Sequence, residues 1–156
     1  MENDFSLTPM QMQLTATVQE LRDCAPLGER YGLRLTEPQM LELAQGRAQA
    51  LAASGRVELG GGILPKLVAA FCDSPFVQQE TWADTLAELQ EAFYYFKSES
   101  RERLTDDELI GLMASVFNGR AQGSTEYLTG TSLESLCRQA RQNWDEHDAD
   151  SAGELF

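Results

Sequence analysis

Residues 82–97 read WADTLAELQEAFYYFK, and the spacing of their apolar side chains settles the fold class. Trp82, Leu86, Leu89, Phe93 and Phe96 step by four and three, so on a helix of 3.6 residues per turn they form one stripe. A stripe of five large apolar groups has to be covered, and the natural cover is another helix. The pattern predicts a helix over about residues 78–98, the longest in the chain. Tyr94 and Tyr95 fall off the seam. They can pack under a loop with their hydroxyls bonded, line a pocket, or stack on a second subunit, and both are interface candidates.

Working outward, the same logic finds the neighbouring helices. Thr8-Pro9-Met10-Gln11, Thr36 with Gln39, and Thr105 with Glu108 each place a hydroxyl where a helix begins and an amide or carboxylate three residues on. In that capping box each side chain serves the other's backbone amide, and Leu7, Leu35 and Leu104 stand ready as hydrophobic staples. Thr131 with Glu134 is a fourth box without the staple. Apolar spacing then predicts helices over about 9–23, 37–53, 63–72, 106–117 and 132–144, with a short turn near Ser124–Leu128. Gly46, inside the second helix, suggests a close crossing. Only Arg56–Leu59 looks strand-like, and one short strand has nothing to pair with. The expected fold is all-α: a single-domain bundle of about six helices over residues 1–144, with a Gly-rich turn between helices two and three. Asp145–Phe156, with five acids and no base, is expected to be a disordered acidic tail.

A chain of 156 residues is long enough to bury roughly 70% of its unfolded surface without metal or disulfide staples. Its net charge of −13 is unevenly spread: residues 1–78 carry 9 acids against 6 bases, residues 79–156 carry 16 against 6. Such a field opposes nucleic acid and anionic membranes, so neither is expected as a partner. Cys24, Cys72 and Cys137 are odd in number and lie in helical apolar patterns, which points to reduced thiols and a cytoplasmic location. The acidic start, Met1–Phe5, is no secretory signal, and no apolar stretch approaches the roughly 20 residues that span a bilayer.

Chemistry is poorly supplied, and no catalytic residue, metal site or cofactor is assigned. His147 is the only histidine and lies in the tail. Asp148–Gly153 has acids at the first and third places of a calcium loop, but alanine at the fifth, and the chain ends before the twelfth. Asp106-Asp107-Glu108 sits in a first helical turn, where the macrodipole explains it. Thr36–Ala53 resembles the first half of a helix-turn-helix, but no basic recognition helix follows. One cluster remains as a candidate ligand site. Gly60, Gly61 and Gly62 precede a helix N-terminus, an anion site in principle, with Arg56, Glu58 and Lys66 nearby and Tyr94 or Tyr95 as a roof. A P-loop ending and a βαβ frame are both absent, and an Arg56–Glu58 ion pair that simply fixes the turn is the commoner outcome for such residues.

Five strings give the chain a family resemblance. Gly55-Arg56-Val57-Glu58 with the glycine turn, Phe71-Cys72-Asp73-Ser74-Pro75, Phe93-Tyr94-Tyr95-Phe96-Lys97, Asp107-Glu108-Leu109-Ile110 and Gly130-Thr131-Ser132-Leu133-Glu134 make residues 33–134 resemble a family of small uncharacterised bacterial proteins, a domain of unknown function. The resemblance implies a bacterial cytoplasmic protein and carries no activity, cofactor or partner.

The sequence therefore leaves the activity unknown. It favours a helical protein-interaction or regulatory module that acts through a non-core face or by self-association as a homo-oligomer. The alternative is a small-molecule or phosphate-ligand binder, or an enzyme, with its site near the Gly60–Gly62 turn. An acidic decoy of nucleic acid ranks below both, because five of its carboxylates lie in the tail.

Overall fold

Three threonines start three of the helices as their capping boxes require. In the computed structural model, which describes residues 8–58, 62–101 and 103–142, α1 runs Pro9–Glu29, α2 Glu37–Ser54 and α5 Asp106–Asn118. The Gln11 amide donates to the Thr8 hydroxyl at 3.1 Å, and the Thr8 amide donates back to Gln11 Oε1 at 2.8 Å. Thr36 with Gln39 and Thr105 with Glu108 repeat this reciprocal pair. Hydrogen bonds from the Thr105 amide and hydroxyl hold the Glu108 carboxyl below its ordinary range, so its support for α5 fades as pH falls through that lowered value. Thr36→Ala removes one cap and is expected to cost about 1 kcal/mol in a urea melt.

The remaining elements are α3, Leu64–Phe71; a 3₁₀ turn, Gln79–Thr81, that leads into α4, Trp82–Ser100; α6, Thr125–Thr129; and α7, whose described part is 133–142. No strand occurs among the described residues, and the chain is all-α. Residues 56–58 have no regular structure. The expected tail, with His147, lies outside the described residues, as do Leu7 and Leu59.

Helix α4 is the axis of the bundle. Trp82, Leu86, Leu89, Phe93 and Phe96 are each at most 2% exposed. They are covered as their spacing demands, with α2, α3, α5 and α6 all packed on α4, while α1 closes over α2 and α3. Phe71 of α3 meets Phe117 of α5 edge to face, ring centroids 5.1 Å apart.

Helix α4 opens at Trp82, after the 3₁₀ turn, rather than near 78, and the turn expected near Ser124–Leu128 is the short helix α6; two further departures have a local reason. Helix α1 continues to Glu29, through Pro26. A proline inside a helix removes one donor and costs about 3 kcal/mol. Here Leu27 packs on the core and Gly28 is buried, its carbonyl accepting from the amides of Tyr31 and Leu33. Tertiary packing thus outweighs the proline. At the other end, the cap of α7 is Ser132, whose hydroxyl accepts from the Ser135 amide at 3.1 Å. The Thr131 hydroxyl instead donates to the Tyr127 carbonyl at 2.8 Å and helps to close α6.

Candidate functional site

Two of the strings nominated from sequence, Gly55–Glu58 and Phe93–Lys97, meet in a buried polar clasp. Helix α2 ends at Gly55, whose φ of 67° reverses the chain and sends residues 56–58 back toward the bundle. Glu58 enters the interior there. Its Oε1 accepts from Arg47 Nε at 3.2 Å, Arg47 Nη2 at 2.9 Å and the Tyr94 hydroxyl at 3.0 Å, while its Oε2 accepts from Arg56 Nε at 3.3 Å. Arg47 Nη1 donates to the Thr17 hydroxyl at 3.0 Å, and Thr17 donates to the Gln13 carbonyl. The clasp therefore ties α1, α2, the Glu58 segment and α4 together. The Arg47 and Glu58 side chains are only 5% and 8% exposed.

Burial and charge act jointly on its members. Burial works against the Arg47 charge, but the hydrogen bonds and charge of Glu58 outweigh it and raise the guanidinium pKa. Burial, reinforced by the neighbouring Glu58 carboxylate, pushes the Tyr94 hydroxyl far above the ordinary phenol range. Tyr94 thus remains a hydrogen-bond donor at any physiological pH.

An outer row of charges continues from the clasp. Arg56 Nη2 lies 3.6 Å from Asp106, Lys97 Nζ lies 2.9 Å from the same Asp106 oxygen, and Lys97 also donates to the Leu104 carbonyl. Lys66 sits at the surface, paired with Asp107 at 2.9 Å, a hydrogen bond that raises its pKa. So the acids that open α5 serve both the macrodipole and three cations. Of the nominated ligand-site residues, Arg56 and Glu58 meet each other and Lys66 joins only the outer row. Gly62 marks a close approach: a Cβ there would lie 2.6 Å from Arg47 Nε, and its amide donates to Glu20 at 3.1 Å. Gly60 and Gly61 lie outside the described residues. Tyr94 is buried in the clasp, while Tyr95 is 51% exposed.

Sequence reasoning missed Arg47, Thr17, Gln90 and Lys97 as members of this layer. On α4, Gln90, Tyr94 and Lys97 step by four and three, making a second buried stripe, polar throughout, beside the apolar seam. Gln90 Nε2 donates to the Leu43 carbonyl of α2 at 3.1 Å, across from Gly46, whose absent Cβ would lie 3.3 Å from that nitrogen. The Gln90 Oε1 is sealed from water and has no hydrogen-bond partner among the described residues. A buried acceptor left unmatched costs about 1–3 kcal/mol.

What the clasp offers chemically is support. Both Glu58 oxygens are occupied by internal donors, and Arg47 and Tyr94 spend theirs on Glu58 and Thr17. No group of three or more His, Cys, Asp or Glu among the described residues could hold a metal ion. Cys24, Cys72 and Cys137 are free thiols, and burial raises the pKa of Cys24 and Cys72, so neither is primed as a nucleophile.

The surface offers concavities instead. One is a largely apolar groove of about 610 Å³ between α1 and α2, lined in part by Leu14, Val18, Pro38 and Leu41. Arg22 and Glu37 line it too and make a paired ion bridge, with Nε to Oε1 at 3.0 Å and Nη2 to Oε2 at 2.7 Å. Leu41 in its lining is 42% exposed, and elsewhere on α1 Met10 and Met12 are more than half exposed. No helix among the described residues is long and apolar enough to cross a membrane.

No curated protein and no solved structure matches the chain. Residues 20–146, which hold Arg47, Arg56, Glu58 and Tyr94 of the clasp but not Thr17 or the first half of α1, match the model of a family of unknown function, DUF6323. The chain belongs to that family.

Proposed function

We propose that the protein is a cytoplasmic interaction module whose docking face is the α1/α2 groove, and that its occupant is a basic amphipathic helix of another protein. The groove itself carries this reading. It is open, largely apolar and lies between two helices, a setting that can accept the apolar side chains of a partner helix. The exposed Leu41 in its lining suits such a role, since an apolar side chain left in water gains by being covered.

Charge selects the kind of partner. A second copy of the chain would bring another net charge of −13, whereas a basic helix is attracted. The same field opposes phosphate backbones and anionic lipid. Three free thiols agree with a reducing compartment.

Light scattering over a concentration series should find a monomer, and immobilised protein should retain a basic partner from the cytosol of its own source cells. Leu41→Glu, at an exposed position, should abolish retention with an unchanged melting temperature. A concentration-dependent dimer that Leu41→Glu disrupts would replace the foreign partner with a second copy. Equal retention by wild type and Leu41→Glu would remove the groove from the account.

A further inference from the structure

A second concavity shares no lining residue with the docking groove and is built differently. It is a pocket of about 140 Å³ where α1, α2, α3 and α4 meet, lined in part by Leu21, Leu33, Met40, Val68 and Trp82. Each of the five is at most 7% exposed, so the pocket reaches into the core itself. Protein interiors are close-packed, and voids larger than a water molecule are few. An apolar cavity of about 150 Å³ admits a benzene-sized molecule.

The interior suits hydrocarbon better than water. Two charged residues aside, the lining side chains are apolar, aromatic or the thiol of Cys24, which donates to the Leu21 carbonyl at 3.5 Å. A buried water needs roughly two to four polar partners, and this lining supplies few. A branched aliphatic or aromatic group gains by entering.

The two charged lining residues, Glu29 and Arg34, are exposed and so stand at the mouth. Neither forms an ion pair, with the other or with any described residue. The backbone of Arg34 is nonetheless pinned. Its amide donates to Gln79 Oε1 at 2.6 Å, and Gln79 Nε2 donates back to its carbonyl at 3.1 Å. Gln79 opens the 3₁₀ turn that leads into Trp82, so one segment both anchors the mouth and supplies the wall. A guanidinium recognises a carboxylate, and a carboxylate recognises an ammonium. An apolar interior beneath two opposite charges matches a zwitterion with an apolar side chain. We propose that the pocket binds a free α-amino acid with a branched aliphatic or aromatic side chain. The side chain enters beside Trp82, the carboxylate meets Arg34 and the ammonium meets Glu29.

Trp82 itself reports occupancy. The chain has two tryptophans, and Trp144→Phe leaves Trp82 as the sole indole emitter. In that background leucine should change the emission saturably and raise the melting temperature, as a ligand of the folded state does. Glycine should do neither. Isocaproate and isoamylamine, which lack the ammonium and the carboxylate respectively, should each bind about tenfold more weakly than leucine. Arg34→Gln and Glu29→Gln should each weaken leucine by a similar factor. Arg30→Gln, the same change at an exposed residue outside the lining, should not. Ala25→Leu fills the pocket from α1 and should abolish the response without lowering the melting temperature. The proposal is overturned if neither leucine nor phenylalanine gives a saturable response, or if Ala25→Leu responds like the parent. Equal affinity for leucine and its two singly charged analogues would overturn it as well.

Discussion

Arg47→Ala is expected to destabilise the protein by about 3–5 kcal/mol, the cost of stranding a buried charge when its partner is removed. For a chain of this length that corresponds to a fall in melting temperature of roughly 10 °C. Arg47 gives Glu58 two of its donors and gives Thr17 its third contact, so the truncation leaves unmatched acceptors in two elements at once. Arg56 and Tyr94 remain on Glu58, but Arg56 also faces Asp106. The double replacement Arg47→Met with Glu58→Leu removes both charges and should be less damaging than Arg47→Ala alone. Urea melts of the two variants check the order. If Arg47→Ala melts like wild type, the clasp contributes nothing to the fold.

Phe93→Ala should cost a similar 3–5 kcal/mol for a different reason. Its ring is fully buried at the centre of α4, so truncation opens a cavity in close-packed surroundings. It also touches Tyr94 edge to face, ring centroids 5.2 Å apart, and Tyr94 is the donor that α4 extends to Glu58. Phe93→Ala and Arg47→Ala therefore share a neighbour, and their effects should not simply add. Chemical denaturation of both singles and the double measures the coupling. Strict additivity would mean that the apolar seam and the polar clasp stabilise the fold independently.

The helices were legible wherever their determinants are local. A threonine and the residue three places on fix a helix start between them, so the starts at Thr8, Thr36 and Thr105 could be read directly. The end of α1 could not, because Pro26 argues locally for a stop and is overruled by packing of Leu27 and Gly28 that only the assembled bundle supplies. The shift from Thr131 to Ser132 is of the same kind: α6 claims the Thr131 hydroxyl first.

The clasp was half visible. Gly55-Arg56-Val57-Glu58 stood out as a distinctive string, and the Arg56–Glu58 pair was among the readings considered. The partner that buries Glu58 was hidden in plain view on α2. Met40, Leu43, Arg47 and Leu51 step by three, four and four, so an arginine occupies the middle of a buried stripe. A charge in such a position must have a buried counter-charge, and Glu58, past the end of α2, supplies it. On α4 the run Gln90, Tyr94 and Lys97 carried the same signal, masked by the louder apolar seam beside it. The surface concavities had no sequence signature, because they arise where exposed faces of separate helices meet.

Internal polar groups secure the bundle, and the role proposed for the α1/α2 groove is to meet a partner. Site-specific photo-crosslinking in living source cells addresses this directly, with a benzophenone amino acid at Leu41 in the groove and at Glu80 as a control outside it. The predicted result is one protein, basic by its mass-spectrometric identity, joined at position 41 and not at 80, and lost when Leu14→Glu is added. Adducts that are equally abundant at both positions, or that survive Leu14→Glu, would contradict it.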